Sequence, residues 1–224
     1  PTPITRQFPT FTTNDVVANG FPVAQQVKVW TPRFAVNYQF NPDLLGYASA
    51  TRGFKSGGWN GRSNLAQQVT PFGPEYNWTY EAGIKSDWLE NRLRANLNVF
   101  YSHTTQFQGA SATVDRVTNL NTFLTANFGT MNDYGVEGQI TIVPVENLDV
   151  NWSFGIQNAK YAELSPGTAA QLALCASTQA TTRTQCNAGV VTPQGTLGIP
   201  VRTPHFNQTL TVSYVFPLSA GMEL

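Results

Sequence analysis

Two long alternating runs meet at a turn around Glu90 and Asn91, and this pair constrains the fold more than any other stretch of the chain. In the run from Tyr76 to Trp88, apolar and aromatic side chains alternate with polar ones, and the run from Leu93 to Tyr101 repeats the alternation. Successive side chains of a β-strand point to opposite faces, so a period of two is typical of strands. The sequence therefore predicts a β-hairpin closed by a two-residue turn.

The register predicted for this hairpin matches side chains across the two strands. It pairs Trp88 with Leu93, Ile84 with Leu97, Tyr80 with Tyr101, and Asp87 with Arg94. Apolar side chains then face apolar ones, and the one charged pair has opposite signs, which stabilises an antiparallel pair.

The apolar face of the first strand is long enough to cross a membrane. From Trp78 to Trp88 it covers 11 positions, and a tilted transmembrane strand needs about 9–11 residues. Strands of soluble proteins average about 5–6 residues. Aromatic side chains lie at both ends of the face, as in the girdles of transmembrane barrels. We therefore predict an all-β fold, an antiparallel transmembrane β-barrel.

The composition fits a barrel between lipid and a polar interior. Charged residues make up 12% of the chain and the formal net charge is +0, whereas soluble domains hold about 25% charged residues. A neutral secreted β-sandwich remains the alternative. No apolar run reaches the ~18–20 residues of a membrane helix, and a signal peptide is either absent or already removed before Pro1. Zero net charge gives no argument for nucleic-acid binding.

Connections between the predicted strands alternate between short and long. The short turns are 41–43, 90–91, 144–147 and 217–221, and the long segments are 1–32, 53–75, 105–122 and 163–203. Transmembrane barrels have short periplasmic turns and longer extracellular loops. Seven strands are predicted, although bacterial barrels have even numbers. Either the strand-like piece Gln26 to Trp30 belongs to an eighth strand, or the chain is part of a larger barrel, which the long loops favour.

The two cysteines, Cys175 and Cys186, lie 11 positions apart in the last long segment. We predict a local disulfide on the extracellular side, in an oxidising compartment. A zinc site is disfavoured, because two cysteines without nearby His or acidic residues do not complete one.

Four strings resemble the C-terminal half of the barrel of TonB-dependent outer-membrane receptors. They are Tyr47 to Gly58 (YASATRGFKSGG), Tyr80 to Ser86 (YEAGIKS), Asn91 to Tyr101, and Tyr134 to Gly138 (YGVEG), and Thr203-Pro204 then opens a strand that ends at Tyr214 to Phe216. Their order and spacing match as well. The resemblance covers roughly residues 31–217.

The resemblance implies a 22-stranded barrel with an N-terminal plug domain, in the bacterial outer membrane. Such a receptor imports a siderophore, cobalamin, carbohydrate or similar solute with energy from the TonB complex. Residues 1–224 are expected to form part of one transmembrane barrel domain whose plug and remaining strands lie outside this chain. The expected partners are outer-membrane lipid, the plug, TonB, a small-molecule ligand and an extracellular accessory protein. The alternative is a small self-contained barrel, acting as a passive pore or as an adhesive or structural protein, with an eighth strand near 18–30.

Charged side chains on the polar strand faces are candidates to line the lumen and contact a plug. They are Arg52, Lys55, Glu81, Lys85, Arg94 and Glu137. For Arg52 and Lys55 a solvated extracellular rim is the alternative, and for Arg94 it is pairing with Asp87 to offset burial. Glu137, flanked by glycine, is the better candidate for a plug contact.

Loop side chains of the types that suit binding surfaces are candidates to touch an extracellular ligand. They are Trp59, Asn60, Arg62, Phe72, Phe107 and Phe123, of which Phe123 alternatively anchors a strand at the membrane girdle. His103 and His205 have no catalytic or metal-ligand spacing around them. Since no nucleophile, base and orienting group come together, the sequence predicts no enzyme, cofactor or metal site.

Overall fold

The computed structural model describes residues 11–61, 65–114, 121–177 and 190–216, with the backbone alone for 111–114 and 121–123. Seven long strands form one antiparallel sheet in the order β1-β2-β5-β6-β9-β10-β11. They are β1 (Arg33–Asn41), β2 (Leu44–Lys55), β5 (Glu75–Trp88), β6 (Leu93–Thr105), β9 (Gly129–Ile142), β10 (Leu148–Leu164) and β11 (Phe206–Tyr214). All seven strands predicted from the alternation are therefore present.

The β5–β6 hairpin has the predicted register. Asp87 pairs with Arg94, Trp88 with Leu93, Ile84 with Leu97, and Tyr80 with Tyr101. The predicted turn at Glu90 and Asn91 is confirmed, because the Arg92 amide donates to Leu89 O at 3.1 Å across these two residues. The connection, residues 89–92, has positive φ at Leu89, Glu90 and Asn91. The matched side chains fix the register, and the turn adapts to it.

The alternation of short and long connections is confirmed within the described residues. Segments 42–43, 89–92 and 143–147 join strands at one end of the sheet, and 56–74, 106–128 and 165–205 join them at the other. The predicted turn at 217–221 lies outside the described residues. These three long connections lie at the same end of the sheet, which we call the loop end.

The long segments contain structure that the sequence analysis read as loop. They hold α1 (Thr13–Ala18), the short strands β3 (Gly58–Trp59) and β4 (Pro71–Phe72), the 3-10 helix η1 (Ala66–Gln68), the hairpin β7 (Gln108–Val114) and β8 (Asn121–Asn127), and α2 (Pro166–Ala176). The start of each α-helix has a local cause. At α2 the Ser165 hydroxyl accepts from the Thr168 amide at 3.3 Å, and Pro166 occupies the first turn.

At α1, the Thr12 backbone amide and hydroxyl both donate to Asp15, at 2.7 and 2.9 Å. These hydrogen bonds lower the pKa of the Asp15 carboxyl below its usual value, since they favour the charged form. The helix is thus held at its start by a reciprocal cap.

The alternative of an eighth strand near 18–30 is not supported, because the described residues of that stretch form no strand. Residues 26–30 belong to no strand, so the strand-like interpretation of Gln26 to Trp30 is wrong. Among the described residues, β1 and β11 are the outermost strands and the sheet does not close on itself. The alternative of a small self-contained barrel required that eighth strand, so the described sheet does not support it.

The two faces of the sheet differ sharply, and we call them the outer and inner faces. The outer face carries Trp78, Tyr80, Ile84 and the residues paired with them, and its large apolar side chains are exposed, for example Val36 at 63% and Leu210 at 64%. In the described chain, the buried apolar residues lie in the connections instead: Val16, Val69, Phe128, Cys175, Val190 and Val191. An exposed apolar band over seven strands is the surface that a transmembrane barrel turns to lipid.

No helix among the described residues is both long and apolar enough to span a membrane.

Candidate functional site

The inner face carries a connected polar cluster around Tyr47. Its hydroxyl donates to Glu81 Oε1 at 2.5 Å, and the Lys85 ammonium lies 5.7 Å from the centre of its ring. Tyr47 pairs with Gly83, midway between the two charged residues on β5. A side chain at Gly83 would meet the Tyr47 ring at 2.8 Å. The glycine therefore lets the ring lie flat on the sheet and bridge Glu81 and Lys85.

Asp87 and Arg94 form the salt bridge that the register predicted. Arg94 Nε donates to Asp87 Oδ1 at 2.6 Å, and the side chains are 59% and 29% exposed. An ion pair with this exposure contributes roughly 0–1 kcal/mol. Arg94 lies on the inner face, and its contact is Asp87, the residue paired with it between β5 and β6.

Glu137 lies exposed on the inner face. Asn98 Nδ2 donates to Glu137 Oε2 at 3.3 Å. Two positions along β9, Gly135 leaves room for the Phe100 ring, which a side chain there would meet at 2.9 Å. Glu137 and Gly135 are two positions apart on β9, so the carboxylate and the Phe100 ring lie on the same face of the sheet.

The register separates Arg52 from the other lumen candidates. Arg52 pairs with Trp78, so it lies on the outer face, whereas Lys55 pairs with Glu75 on the inner face. The Arg52 guanidinium carbon lies 5.5 Å from the centre of the Tyr76 ring. The lumen assignment of Arg52 is therefore wrong. That assignment rested on the position of Arg52 near a loop. Arg52 lies an odd number of residues after Tyr47 on β2, so its side chain points to the opposite face of the sheet.

At the loop end, side-chain amides join the first two long connections. Asn60 is 5% exposed. Its Nδ2 donates to Thr70 O at 3.1 Å and Thr125 O at 3.0 Å, and its Oδ1 accepts from the Thr125 amide at 2.6 Å. Asn60 was predicted to touch a ligand, but its amide is committed to these backbone groups. It holds β8 against segment 56–74.

Two further amides do the same, and the sequence analysis missed both. Gln108 Nε2 donates to Ser56 O at 3.0 Å and to Gly73 O at 2.9 Å. Asn127 Oδ1 accepts from the Gly73 amide at 2.7 Å, and its Nδ2 donates to Gly73 O at 3.0 Å. We call Asn60, Gln108 and Asn127 the amide clasp. Their partners are up to 65 positions away, and amides in loops carry no local signal of such pairing.

The N-terminal segment packs against segment 56–74. Trp59 Nε1 donates to Pro22 O at 3.0 Å, and Gln25 Nε2 donates to Gly58 O at 3.2 Å. Trp59 is half-buried and lines an open groove together with α1 and Val69. Trp59, one of the predicted ligand contacts, therefore lies at a groove.

The remaining loop candidates have mixed positions. Phe72 lies against Gly58, where a side chain would approach its ring at 3.1 Å. Phe107 packs with Tyr161, with ring centres 5.7 Å apart. Phe123 belongs to β8, where only its backbone is described, and Arg62 lies outside the described residues. Trp59, Asn60 and Phe72 therefore lie together in segment 56–74, whereas Phe107 packs against Tyr161 of β10.

Cys175 lies in α2, 8% exposed, against Val191 and Leu172. The described chain holds no free cysteine. Cys186 lies outside the described residues, so the disulfide stays a prediction.

Neither histidine stands in a catalytic arrangement. His103 Nδ1 lies 2.7 Å from Asn132 Oδ1, and His205 Nδ1 lies 2.8 Å from Gln157 O. In the described part of the chain, no three His, Cys, Asp or Glu side chains group as a metal site.

Comparison with known proteins gives one family for nearly the whole chain. Residues 5–222 match the family model described as TonB dependent receptor-like, beta-barrel. The metal-pseudopaline receptor of two Pseudomonas aeruginosa strains is 38% identical over 77 residues, which is 34% of this chain and 10% of the receptor. The chain thus spans about a tenth of the length of these curated relatives.

Among solved structures, the ferric yersiniabactin uptake receptor of Yersinia pestis has a similar fold. The TM-score is 0.56 at 16% identity, over 84% of this chain and 23% of that receptor. The ferripyoverdine receptor of Pseudomonas aeruginosa, bound to ferripyoverdine, has a TM-score of 0.47 at 16% identity, over 84% of this chain and 21% of that one.

Proposed function

This chain belongs to the TonB-dependent receptor family through its β-barrel domain, and from that premise we propose that it is part of a receptor that imports a metal chelate. The family consists of receptors of the bacterial outer membrane, not of enzymes. The solute class is supported by the 38% identity to receptors named for metal-pseudopaline. Cobalamin and carbohydrate are the competing solutes.

The domain organisation is part of the same proposal. Residues 1–224 form part of one transmembrane barrel domain, supported by the family match to residues 5–222 and by the open seven-stranded sheet. A plug and further strands complete the barrel, and TonB supplies energy to it. The wider partners we propose are outer-membrane lipid, the chelate and an extracellular accessory protein at the loop end.

The residue roles follow from the two sides of the barrel wall. We assign Lys55, Glu81, Lys85, Arg94 and Glu137 to the lumen, and Glu137 is the residue we propose for the plug contact because it is exposed on the inner face. Trp59, at the groove beside α1, is the loop residue we propose for ligand contact. Arg62, Phe72, Phe107 and Phe123 remain candidate contacts, and Asn60 has a structural role.

The test of this function is solute uptake by cells that lack the full-length receptor gene. We expect deletion to lower the cellular accumulation of metal supplied as metal-loaded pseudopaline by several-fold, and the gene on a plasmid to restore it. Deleting tonB is expected to give the same loss, because the transport step needs that energy source. Unchanged metal accumulation together with lost uptake of labelled cobalamin or maltodextrin would contradict the metal-chelate assignment.

The disulfide between Cys175 and Cys186 is proposed on the same extracellular side. We expect the intact mass of the oxidised full-length receptor to rise by the mass of two hydrogens on reduction. A Cys175→Ser, Cys186→Ser double variant should lose this difference. Closing a loop of about this length stabilises a protein by roughly 2–4 kcal/mol, and the effect here is expected to be confined to the loop end. Alkylation of both thiols in the unreduced wild-type receptor would disprove the bond.

A further inference from the structure

In the paired positions of the seven described strands, the Arg, Lys and His side chains of the outer face all lie in one row across the sheet. Arg52 pairs with Trp78, Trp78 with His103, His103 with Asn132, and Asn132 with Lys160. The row thus crosses five consecutive strands of the sheet and contains three basic side chains. We call it the cationic row.

Acidic residues are excluded from the same face. In the ladder-paired positions of the seven described strands, every Asp and Glu lies on the inner face: Glu75, Glu81, Asp87, Asp133, Glu137 and Asp149. The inner face also holds basic residues, so it is mixed in sign. The outer face therefore carries charged groups of one sign only, and they lie in one row, whereas the inner face carries both signs.

That level lies at an aromatic girdle. Tyr80 pairs with Tyr101, and Tyr101 with Tyr134, one outer-face position from the cationic row on the side away from the loop end. The rings of Tyr80 and Tyr101 stack with centres 6.4 Å apart. Tyrosine rings gather where hydrocarbon meets headgroups. Two residues of strand advance about 6.8 Å, so the row lies at headgroup level.

The basic groups of the row have no anionic partner in the described chain. Arg52 Nε is buried without a hydrogen-bond partner. Lys160 is exposed, and the salt bridge found in the described residues joins Asp87 and Arg94 instead. The contact between His103 and Asn132 at 2.7 Å fixes the orientation of the imidazole within the row.

We propose that the cationic row binds phosphate groups of lipid headgroups in the leaflet at the loop end. Neighbouring basic residues are two strands apart, about 10 Å, which suits adjacent phosphates better than one shared phosphate. Strands tilted by about 40° make the row climb about 3 Å per strand. The long Arg and Lys side chains compensate for this climb by extending toward the headgroups. Arg52 and Lys160 contact different phosphates because they lie four strands apart. The proposal does not depend on which solute is imported.

The test uses the full-length receptor, purified in detergent and titrated with diphosphorylated lipid A, with bound lipid counted by native mass spectrometry. We expect the triple variant Arg52→Gln, His103→Gln, Lys160→Gln to bind roughly 25-fold more weakly, about fivefold for each full charge removed. The matched control is Arg33→Gln, Lys55→Gln, Lys85→Gln, in which Arg33 pairs with Thr51 on the same face as Lys55. This variant removes as many basic residues from the inner face and should bind lipid A like wild type.

Two further measurements use the wild-type receptor alone, so their outcome does not depend on whether the variants fold. Wild-type receptor is expected to bind dephosphorylated lipid A much more weakly, and excess inorganic phosphate should not displace the bound lipid. Equal affinity for the dephosphorylated lipid, equal losses in the two triple variants, or full displacement by free phosphate would each overturn the proposal.

Discussion

Replacing Gly129 with alanine is expected to remove most of the folded receptor from the outer membrane. Gly129 joins β8 to β9 with φ +133, a conformation that L side chains rarely adopt. A Cβ there would overlap the Glu163 carbonyl oxygen and lie 2.8 Å from Leu164 Cα. Both neighbours are backbone, so no side-chain rotation relieves the clash. Backbone strain and overpacking cost about 1–3 kcal/mol each, so we expect a loss of about 2–6 kcal/mol.

The position explains why the loss should be large. Gly129 pairs with Leu164 beyond an irregularity in the β9–β10 ladder between Tyr161 and Leu164. The same junction carries the Phe107 amide, which donates to Gly129 O at 2.7 Å, and the Ser165 amide, which donates to Phe128 O at 2.8 Å. One glycine therefore holds together the start of β9, the end of β10 and the β7–β8 hairpin.

The measurement is the heat-modifiable fraction of the full-length receptor on gels, followed by urea unfolding of the folded fraction. Gly53→Ala is the control, because Gly53 also lies in a long strand, β2, and a Cβ there meets nothing within 4 Å. Its effect should stay within about 0.5 kcal/mol. If Gly53→Ala and Gly129→Ala unfold alike, strain at Gly129 is not what limits the fold.

Replacing Asn60 with alanine is expected to release the loop end while leaving the sheet intact. The change leaves the Thr125 amide and carbonyl oxygen without their side-chain partner, whereas the Thr70 carbonyl oxygen still accepts from the backbone amide of residue 60. Each buried polar group left unpaired costs about 1–3 kcal/mol. We expect the free energy required to open the amide clasp to fall by about 2–4 kcal/mol. The fall is smaller than the full cost of the unpaired groups because water reaches some of them.

Hydrogen exchange of the full-length receptor measures this directly. Protection should fall in segments 65–75 and 121–127 of Asn60→Ala and stay unchanged in β5 and β6. Gln67→Ala, an exposed position in the same connection, is the matched control and should exchange like wild type. Asn60→Asp should not rescue protection, since its carboxylate faces two carbonyl oxygens. Wild-type exchange in Asn60→Ala would show that the clasp does not hold the loop end.

Strands and their register could be predicted because their causes are local. The β5–β6 pairs follow from alternation within each run and from matching across one turn, with no knowledge of the remaining chain. The same alternation contained the correct side for Arg52, which was misassigned by its proximity to a loop. The helix α2 is also encoded locally, by Ser165 and Pro166, although the sequence predicted only a long connection over 163–203.

The sequence by itself determined that the chain forms long strands with one apolar and one polar face, since a period of two is written in neighbouring residues. Only the tertiary structure decided which loops meet. Asn60 and Thr125 are 65 positions apart, and Gly73 and Asn127 are 54 apart. The cationic row was equally hidden, because Arg52, His103 and Lys160 share a level only once five strands are in register. Alternation fixes the face of a residue, whereas its neighbours across the sheet depend on every pairing between them.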